Sequence, residues 1–273
     1  KKLGIKILPP DINYGEGAFS VDHGNIRYGL TAIKSLGRPV IEAIIRERNL
    51  NGPYRDFKDL VERLSSKEIN KRTVENLIKS GALDCFHVTR KQQMIVYASV
   101  IDSIQKERKN EIAGQMSLMD LLGEEDQQSF QISYPDVGEY EKEQKLAMEK
   151  EVLGIYVSGH PLEDDIERLE RSVTAHTSDF VIDEETGKTK IHDRESCIIG
   201  GLISEMSVKL TKKNQNMAFI TLEDLRGTVE VVVFPRQYAT YQSLLREDAK
   251  VFIKGTTQIS EEESKVICNQ IIQ

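Results

Sequence analysis

Hydrophobic and polar residues alternate along two short runs towards the C-terminal end of the chain. The first run covers residues 217–223 and the second covers 228–234, with turn-forming residues from Asp224 to Gly227 between them. Because successive side chains of a strand point to opposite faces, each run predicts a strand with one buried face and one free face. The pattern therefore predicts a β-hairpin over 217–234.

The same alternation continues from about residue 195 to the end of the chain. It predicts five strands and a short helix between the third and the fourth strand. The strands are expected at 196–208, 216–223, 228–234, 249–258 and 264–272, and the helix at 236–246. This order is that of an OB-fold, a small five-stranded β-barrel that commonly binds oligonucleotides.

The free face of the predicted hairpin carries residues that suit single-stranded DNA. Phe219 and Thr221 point away from the predicted core, and three basic residues are expected in the loop before the second strand, namely Lys209, Lys212 and Lys213. OB-folds hold single strands by stacking bases on aromatic rings beside a basic rim. In the alternative interpretation, Phe219 packs against residues 139–185 and has a structural role only.

Apolar residues recur at helical spacing through the first half of the chain. A Pro-Pro pair and several glycines keep residues 1–25 extended or irregular. Short helices are predicted over 26–84 and a longer helix at about 91–109, because apolar residues form a stripe along each of them. Asn70 is suited to cap the N-terminus of the third short helix.

A break in this periodicity after Gly114 separates the two halves. Glycines, glutamines and Pro135 predict a partly flexible linker, which is followed by a polar helix at about 139–153. The chain is therefore divided into an extended N-terminal segment, a helical domain, a linker, connecting helices and a barrel, with bounds 1–25, 26–109, 110–138, 139–194 and 195–273.

A helix, a tight turn and a second helix beginning at Pro39 are predicted around a short basic segment. The segment consists of Lys34, Ser35, Leu36, Gly37 and Arg38. Gly37 is expected to let the backbone turn sharply, so that N–H groups at the start of the second helix face a DNA phosphate. The usual hairpin is Gly-apolar-Gly, and Ser35 replaces the first glycine. The alternative is an ordinary helix end, and a weaker hairpin at 79–84 is expected to serve packing.

A second short motif follows Gly114 in the predicted linker. It consists of Gln115, Ser117, Leu118 and Met119. A glutamine followed three and four positions later by apolar residues is typical of a docking peptide whose glutamine fills a polar notch while the apolar residues enter a pocket. The alternative is a small helix that packs on its own domain.

Composition and charge limit the functional classes. The chain has 273 residues, of which 39% are hydrophobic and 30% charged, and it has no apolar run long enough to predict a membrane span. The net charge is −7, yet residues 26–84 carry twelve Lys/Arg against eight Asp/Glu.

The three cysteines and five histidines show no metal spacing, and the cysteine usage fits a reducing compartment. No catalytic residue, metal ligand or cofactor site is predicted, and the absence of an initiator Met at Lys1 suggests a cut or processed chain.

Several motifs, taken in order, resemble the C-terminal part of the bacterial DNA polymerase III alpha subunit. The similar segments are 7–13, 26–37, 70–72, 77–84, 115–119, 154–162 and 217–234. The resemblance covers nearly the whole chain, and an ordered series of motifs is more specific than any one of them. It implies a multidomain α plus β chain with an N-terminal all-α helix-hairpin-helix domain and a C-terminal five-stranded OB-fold β-barrel.

The resemblance also implies partners and roles. The segment Lys34–Arg38 matches a hairpin that contacts double-stranded DNA, and Gln115, Ser117, Leu118 and Met119 match a sliding-clamp-binding peptide that often ends in an aromatic residue. The barrel would lie near single-stranded template DNA, and other replisome subunits are expected partners. The chain would support template binding and processivity in the bacterial cytoplasm, associated with the nucleoid.

The family's catalytic aspartates belong to a palm domain that no part of this chain matches. The chain is therefore expected to be non-catalytic and to need no cofactor, whereas the parent polymerase would use Mg. The alternative function is a protein-interaction tail whose OB-fold packs internally or recruits replication partners instead of binding single strands.

Overall fold

The computed structural model describes residues 4–64, 68–112, 132–183, 187–260 and 263–272. The chain divides into two compact units, Lys1–Gly159 and His160–Gln273. Each unit has a hydrophobic core of its own. No helix in the described ranges is long and apolar enough to cross a membrane.

The first unit begins with a small sheet where the sequence predicts an extended or irregular segment. The strands β1 (Ile7–Leu8), β2 (Ser20–Asp22) and β3 (Asn25–Arg27) lie in the order β1-β3-β2. Strand β3 is parallel to β1 and antiparallel to β2. Between β1 and β2, the buried residue Ile12 donates its N–H to the carbonyl of Ala82 at 3.1 Å, which attaches this segment to the helical core.

Helices form the rest of the first unit. They are α1 (Arg38–Asn51), α2 (Phe57–Arg63), α3 (Lys71–Lys79), α4 (Arg90–Ile112) and α5 (Lys142–Leu153). Asn70 caps α3 as predicted, since its side chain accepts the N–H of Thr73 at 2.9 Å. The predicted long helix and the predicted polar helix are confirmed as α4 and α5, with ends shifted by at most three residues.

A buried ionic network joins α5 to α4 and to the turn after α3. The Arg90 guanidinium is 1% exposed and donates to Glu149 at 3.0 Å and to Asp84 at 2.8 Å. The other carboxylate oxygen of Glu149 accepts the N–H groups of Val157 and Ser158, each at 2.9 Å. Because a buried charge is costly without partners, this network fixes α5 within the first unit.

The second unit contains α6 (Ile166–Ser172) and a closed barrel. The barrel consists of β4 (Ser196–Leu210), β5 (Asn216–Glu223), β6 (Thr228–Val233), β7 (Lys250–Ile259) and β8 (Ser264–Ile272), with α7 (Pro235–Tyr241) between β6 and β7. The strands close in the order β4-β5-β6-β8-β7, and of the strand pairs described in the barrel only β6–β8 is parallel. The predicted OB-fold is confirmed.

Strand β4 is long enough to pair with two different strands, β7 and β5, and so closes the barrel. Its first half pairs with β7, and its second half pairs with β5. Where the two pairings meet, a Cβ on Gly201 would lie 2.3 Å from the carbonyl oxygen of Glu223. Glycine is therefore required here for the close approach of two backbones, which explains a Gly in a strand interior.

Candidate nucleic-acid interfaces

The basic hairpin of the first unit differs from its predicted form. One turn of 3-10 helix, Leu30–Ala32, precedes it, and α1 follows it. The residue in the left-handed region is Ser35, with a φ of 63°, whereas Gly37 has a φ of −74°. The prediction that Gly37 makes the sharp turn is wrong. The left-handed residue lies two positions earlier, at Ser35, and hydrogen bonds hold both the N–H and the carbonyl of the preceding residue, Lys34.

Those contacts attach the hairpin to α3 and α5. The N–H of Lys34 donates to the carbonyl of Val152 at 2.8 Å, and the side chain of Asn76 donates to the carbonyl of Lys34 at 2.7 Å. The side chain of Leu36 is buried in the core. Of the five predicted site residues, Leu36 therefore anchors the hairpin, while Lys34, Ser35, Gly37 and Arg38 remain exposed.

A cleft of about 500 Å³ lies between the hairpin, α3 and the C-terminal end of α5. Arg72 reaches across it and donates to the Ser35 hydroxyl at 3.3 Å. Lys71 and Lys79 also line the cleft, but Lys71 pairs with Asp102 at 2.7 Å and Lys79 pairs with two carboxylates. Arg72 is not among the site residues predicted from the sequence. Lys71 and Arg72 directly follow the N-cap residue Asn70, and two cations at a helix start could have indicated an anion-binding position.

The weaker hairpin at 79–84 has a structural role, as expected. Gly81 has a φ of 80°, and a Cβ there would lie 2.2 Å from the Arg90 guanidinium. The glycine therefore makes room for the buried network around Arg90, as the predicted packing role requires.

The free face of the barrel is where the sequence predicts it. Ala218, Ile220 and Leu222 are buried in the barrel, and the residues between them face outward. Phe219 is half-buried on the outer face and pairs with Ser207 of β4 and Val232 of β6.

Acidic residues accompany Thr221 on the same outer face. Thr221 pairs with Glu205 of β4 and with Glu230 of β6. Glu230 in turn lies opposite Lys265 of β8. A single strand bound near Thr221 would therefore meet carboxylates, whereas the end of the face around Phe219 carries cations.

The three predicted lysines occupy two kinds of position. Lys212 and Lys213 lie exposed in the loop between β4 and β5, as predicted. Lys209 was expected in that loop but lies in β4, which continues to Leu210 because it pairs with β5 along its whole second half. Its ammonium lies 4.8 Å from the centre of the Phe219 ring, at the distance of a cation–π contact.

Burial makes the three thiols of this chain weakly acidic. Burial raises the pKa of Cys197 and Cys268 to about 11 and that of Cys85 to about 12. At neutral pH these groups therefore stay protonated. In the described part of the chain, no cluster of three or more His, Cys, Asp or Glu residues forms a possible metal site.

The predicted docking motif, Gln115, Ser117, Leu118 and Met119, lies outside the described residues. Its flanking segments are described, and both belong to the first unit.

Comparisons with known proteins match both halves of the chain. A helix-hairpin-helix motif family matches residues 4–93, and a family described as an OB-fold nucleic acid binding domain matches residues 198–273. DNA polymerase III subunit alpha of Mycobacterium leprae is 32% identical over 272 residues, which are 100% of this chain and 22% of that protein. The Escherichia coli K12 subunit is 35% identical, covering 93% of this chain and 21% of its own length.

A solved mitochondrial single-stranded DNA-binding protein of S. cerevisiae covers 30% of this chain and 94% of its own, with 16% identity and a TM-score of 0.25. The chain spans about a fifth of the length of the curated relatives it matches.

Proposed function

The chain belongs to the family of bacterial DNA polymerase III alpha subunits and corresponds to their C-terminal part, and we propose that it holds DNA for the polymerase without catalysing synthesis itself. Its first unit binds duplex DNA through the basic hairpin, and its barrel binds single-stranded template. In this proposal, polymerisation and the Mg that it would use belong to another part of the parent subunit. We further propose that this role supports processivity and that the chain acts at the nucleoid in the bacterial cytoplasm.

The observation that carries the duplex proposal is the exposed cationic edge of the hairpin. Lys34 and Arg38 are exposed at the two ends of a turn that Asn76 and Val152 hold in place, and Arg72 contacts the Ser35 hydroxyl from α3. A preorganised turn lowers the ordering cost of binding, and each cation that neutralises a phosphate releases counterions. The site therefore suits the sequence-independent backbone of a duplex.

Charge reversal tests this proposal. Lys34→Glu plus Arg38→Glu should weaken binding to a duplex oligonucleotide and reduce the slope of log affinity against log salt by about two. Lys188→Glu plus Lys190→Glu carries the same change in net charge on exposed residues of the second unit and serves as the control. An unchanged salt slope in the hairpin variant refutes the duplex site.

The single-strand proposal rests on the aromatic and basic end of the outer barrel face. Lys212→Glu plus Lys213→Glu should weaken binding to an oligothymidylate at low salt, since the loop cations lie at the end of the face that carries Phe219. Phe219→Ala should weaken it as well, and a large loss of thermal stability without loss of affinity would assign Phe219 to the core.

The alternative, a protein-interaction tail, is favoured by one observation. Glu205 and Glu230 flank Thr221 on the outer face and oppose a polyanion there. If the intact chain has no measurable affinity for an oligothymidylate at low salt, the barrel recruits proteins or packs internally.

The docking motif is proposed to bind a sliding clamp, on the strength of its residue pattern and its position in the family. Gln115→Ala plus Leu118→Ala should abolish binding to a sliding clamp in a calorimetric titration. Gln127→Ala plus Gln128→Ala, in the same linker, is the control. Equal binding by both variants would mean that the motif is structural.

A further inference from the structure

The outer barrel face contains a second aromatic ring beyond the predicted site. Phe219 lies opposite Val232 on the neighbouring strand β6, and Phe234 follows Val232 by two residues. The backbone of Phe234 is still extended, with φ −68° and ψ 163°, so the alternation of β6 continues through it. This alternation assigns Phe234 to the same outer face as Phe219, in the diagonal position.

The two rings differ in how well they can receive a base. Phe219 is half-buried between its neighbours, and the Lys209 ammonium lies 4.8 Å from its ring centre. A base that stacks on this ring has to displace the ammonium. Phe234 is 44% exposed, which leaves much of its ring open to solvent.

The backbone of Phe234 is also held in place. Its carbonyl accepts the N–H of Tyr238 at 2.8 Å, and Pro235 begins α7 directly after it. The exposed ring is therefore presented on a rigid support, and Arg236 lies exposed two residues further along. An exposed ring with a cationic residue two positions away in sequence suits a nucleobase and its adjoining phosphate.

We propose that Phe234 is the principal stacking platform of the barrel for a base of single-stranded DNA, with Arg236 near the adjoining phosphate. Phe219 then supports Lys209, which binds the backbone of the strand, and does not itself stack. This inference rests on the proposed single-strand function of the barrel and specifies which residue carries it.

Substitutions at Phe234 separate stacking from packing. Phe234→Ala should weaken oligothymidylate binding by about 5- to 150-fold, the usual effect of losing one base–aromatic contact. Phe234→Leu keeps the apolar bulk but has no flat ring, and it should lose affinity nearly as much. Binding by Phe234→Leu at the wild-type level would assign Phe234 a packing role and overturn the inference.

A fluorescent variant reports stacking directly, because the chain contains no tryptophan. Phe234→Trp should retain affinity, and its emission should be quenched when oligothymidylate binds. Leu225→Trp, which lies in the turn at the far end of the hairpin, is the single-tryptophan control and should show no quenching.

The outcomes distinguish the inference from the proposed function. If the wild-type chain and Phe234→Trp both fail to bind oligothymidylate, the single-strand function fails and the inference fails with it. If the wild-type chain binds, Phe234→Ala binds equally and Phe234→Trp is not quenched, the barrel function stands and only the assignment of Phe234 is wrong.

Discussion

Neutralising Glu149 is predicted to destabilise the first unit and to leave the barrel unchanged. The Glu149 side chain is 0% exposed and accepts from Arg90 at 3.0 Å and from the N–H groups of Val157 and Ser158 at 2.9 Å. Glu149→Gln keeps the size of the side chain but removes the charge that compensates Arg90. Its NH₂ group would also face donors, either the Arg90 guanidinium or the N–H groups of Val157 and Ser158. The variant therefore leaves a buried cation and a backbone donor without an adequate acceptor.

The expected loss follows from the burial of both charges. Removing one partner of a buried ion pair costs about 3–5 kcal/mol. Asp84 remains beside Arg90 at 2.8 Å, but its side chain is 41% exposed and contacts solvent. For a unit of this size, each kcal/mol lowers the melting temperature by about 2–4 °C. The first unit should therefore melt roughly 6–20 °C lower.

Differential scanning calorimetry measures this loss, and the chain provides its own references. The barrel has a separate hydrophobic core, so its transition should be unchanged. Glu151→Gln, on the same helix, removes a 60% exposed carboxylate that pairs with Lys79 at 2.9 Å, and it should cost less than about 1 kcal/mol. Equal, small shifts in both variants would refute the assignment of Glu149 to a stability-determining network.

Three further predictions concern the hairpin of the first unit and the thiols of the barrel. Ser35→Gly should raise the free energy of unfolding by about 0.5–1 kcal/mol in urea titrations, because relief of a positive φ outweighs the added freedom of the unfolded chain; a lower value contradicts this. Gly37→Ala should leave the free energy of unfolding unchanged, because the added Cβ would lie at an ordinary contact distance of 3.7 Å from Pro39. If a DNA phosphate approaches this backbone, the same variant should bind a duplex about tenfold more weakly, as measured by fluorescence anisotropy. The barrel should lose stability from pH 9 to about 11, because unfolded thiols ionise near 9 whereas Cys197 and Cys268 stay protonated to about 11. Below pH 9 this contribution is constant, and in urea titrations across that range Cys197→Ala plus Cys268→Ala should show a smaller decline.

The barrel could be predicted from the sequence because strand alternation is a local signal. Ala218, Ile220 and Leu222 are buried because every second residue of β5 points into the barrel, and no distant contact is needed to infer this. The end of β4 was harder to predict, because pairing with β5 extends the strand through Lys209 and Leu210. The C-terminal end of β4 is polar, so its last residue is set by pairing with β5 and not by hydrophobic alternation.

The hairpin and the buried network could not be predicted in detail, because their geometry depends on distant residues. Ser35 adopts a positive φ while α5 and α3 hold Lys34 through Val152 and Asn76. The sequence of α5 is that of a polar, solvated helix. The burial of Glu149 depends on its ion pair with Arg90 of α4, which only the fold shows. Sequence periodicity contains no information about either pairing.

The acidic net charge of the chain is compatible with DNA binding because charge acts locally. The Debye length is about 8–10 Å at physiological salt, so carboxylates further than that from Lys34 and Arg38 scarcely weaken a phosphate contact there. The same screening limits each interface to a few cations and modest affinity. In a longer polymerase already held on DNA, the effective concentration of template is high, and modest affinity at each attachment is then sufficient for occupancy. We therefore predict that the isolated chain binds DNA weakly and that the same contacts still raise the DNA affinity of a full-length subunit. Measuring the DNA affinity of both forms at several salt concentrations tests this prediction.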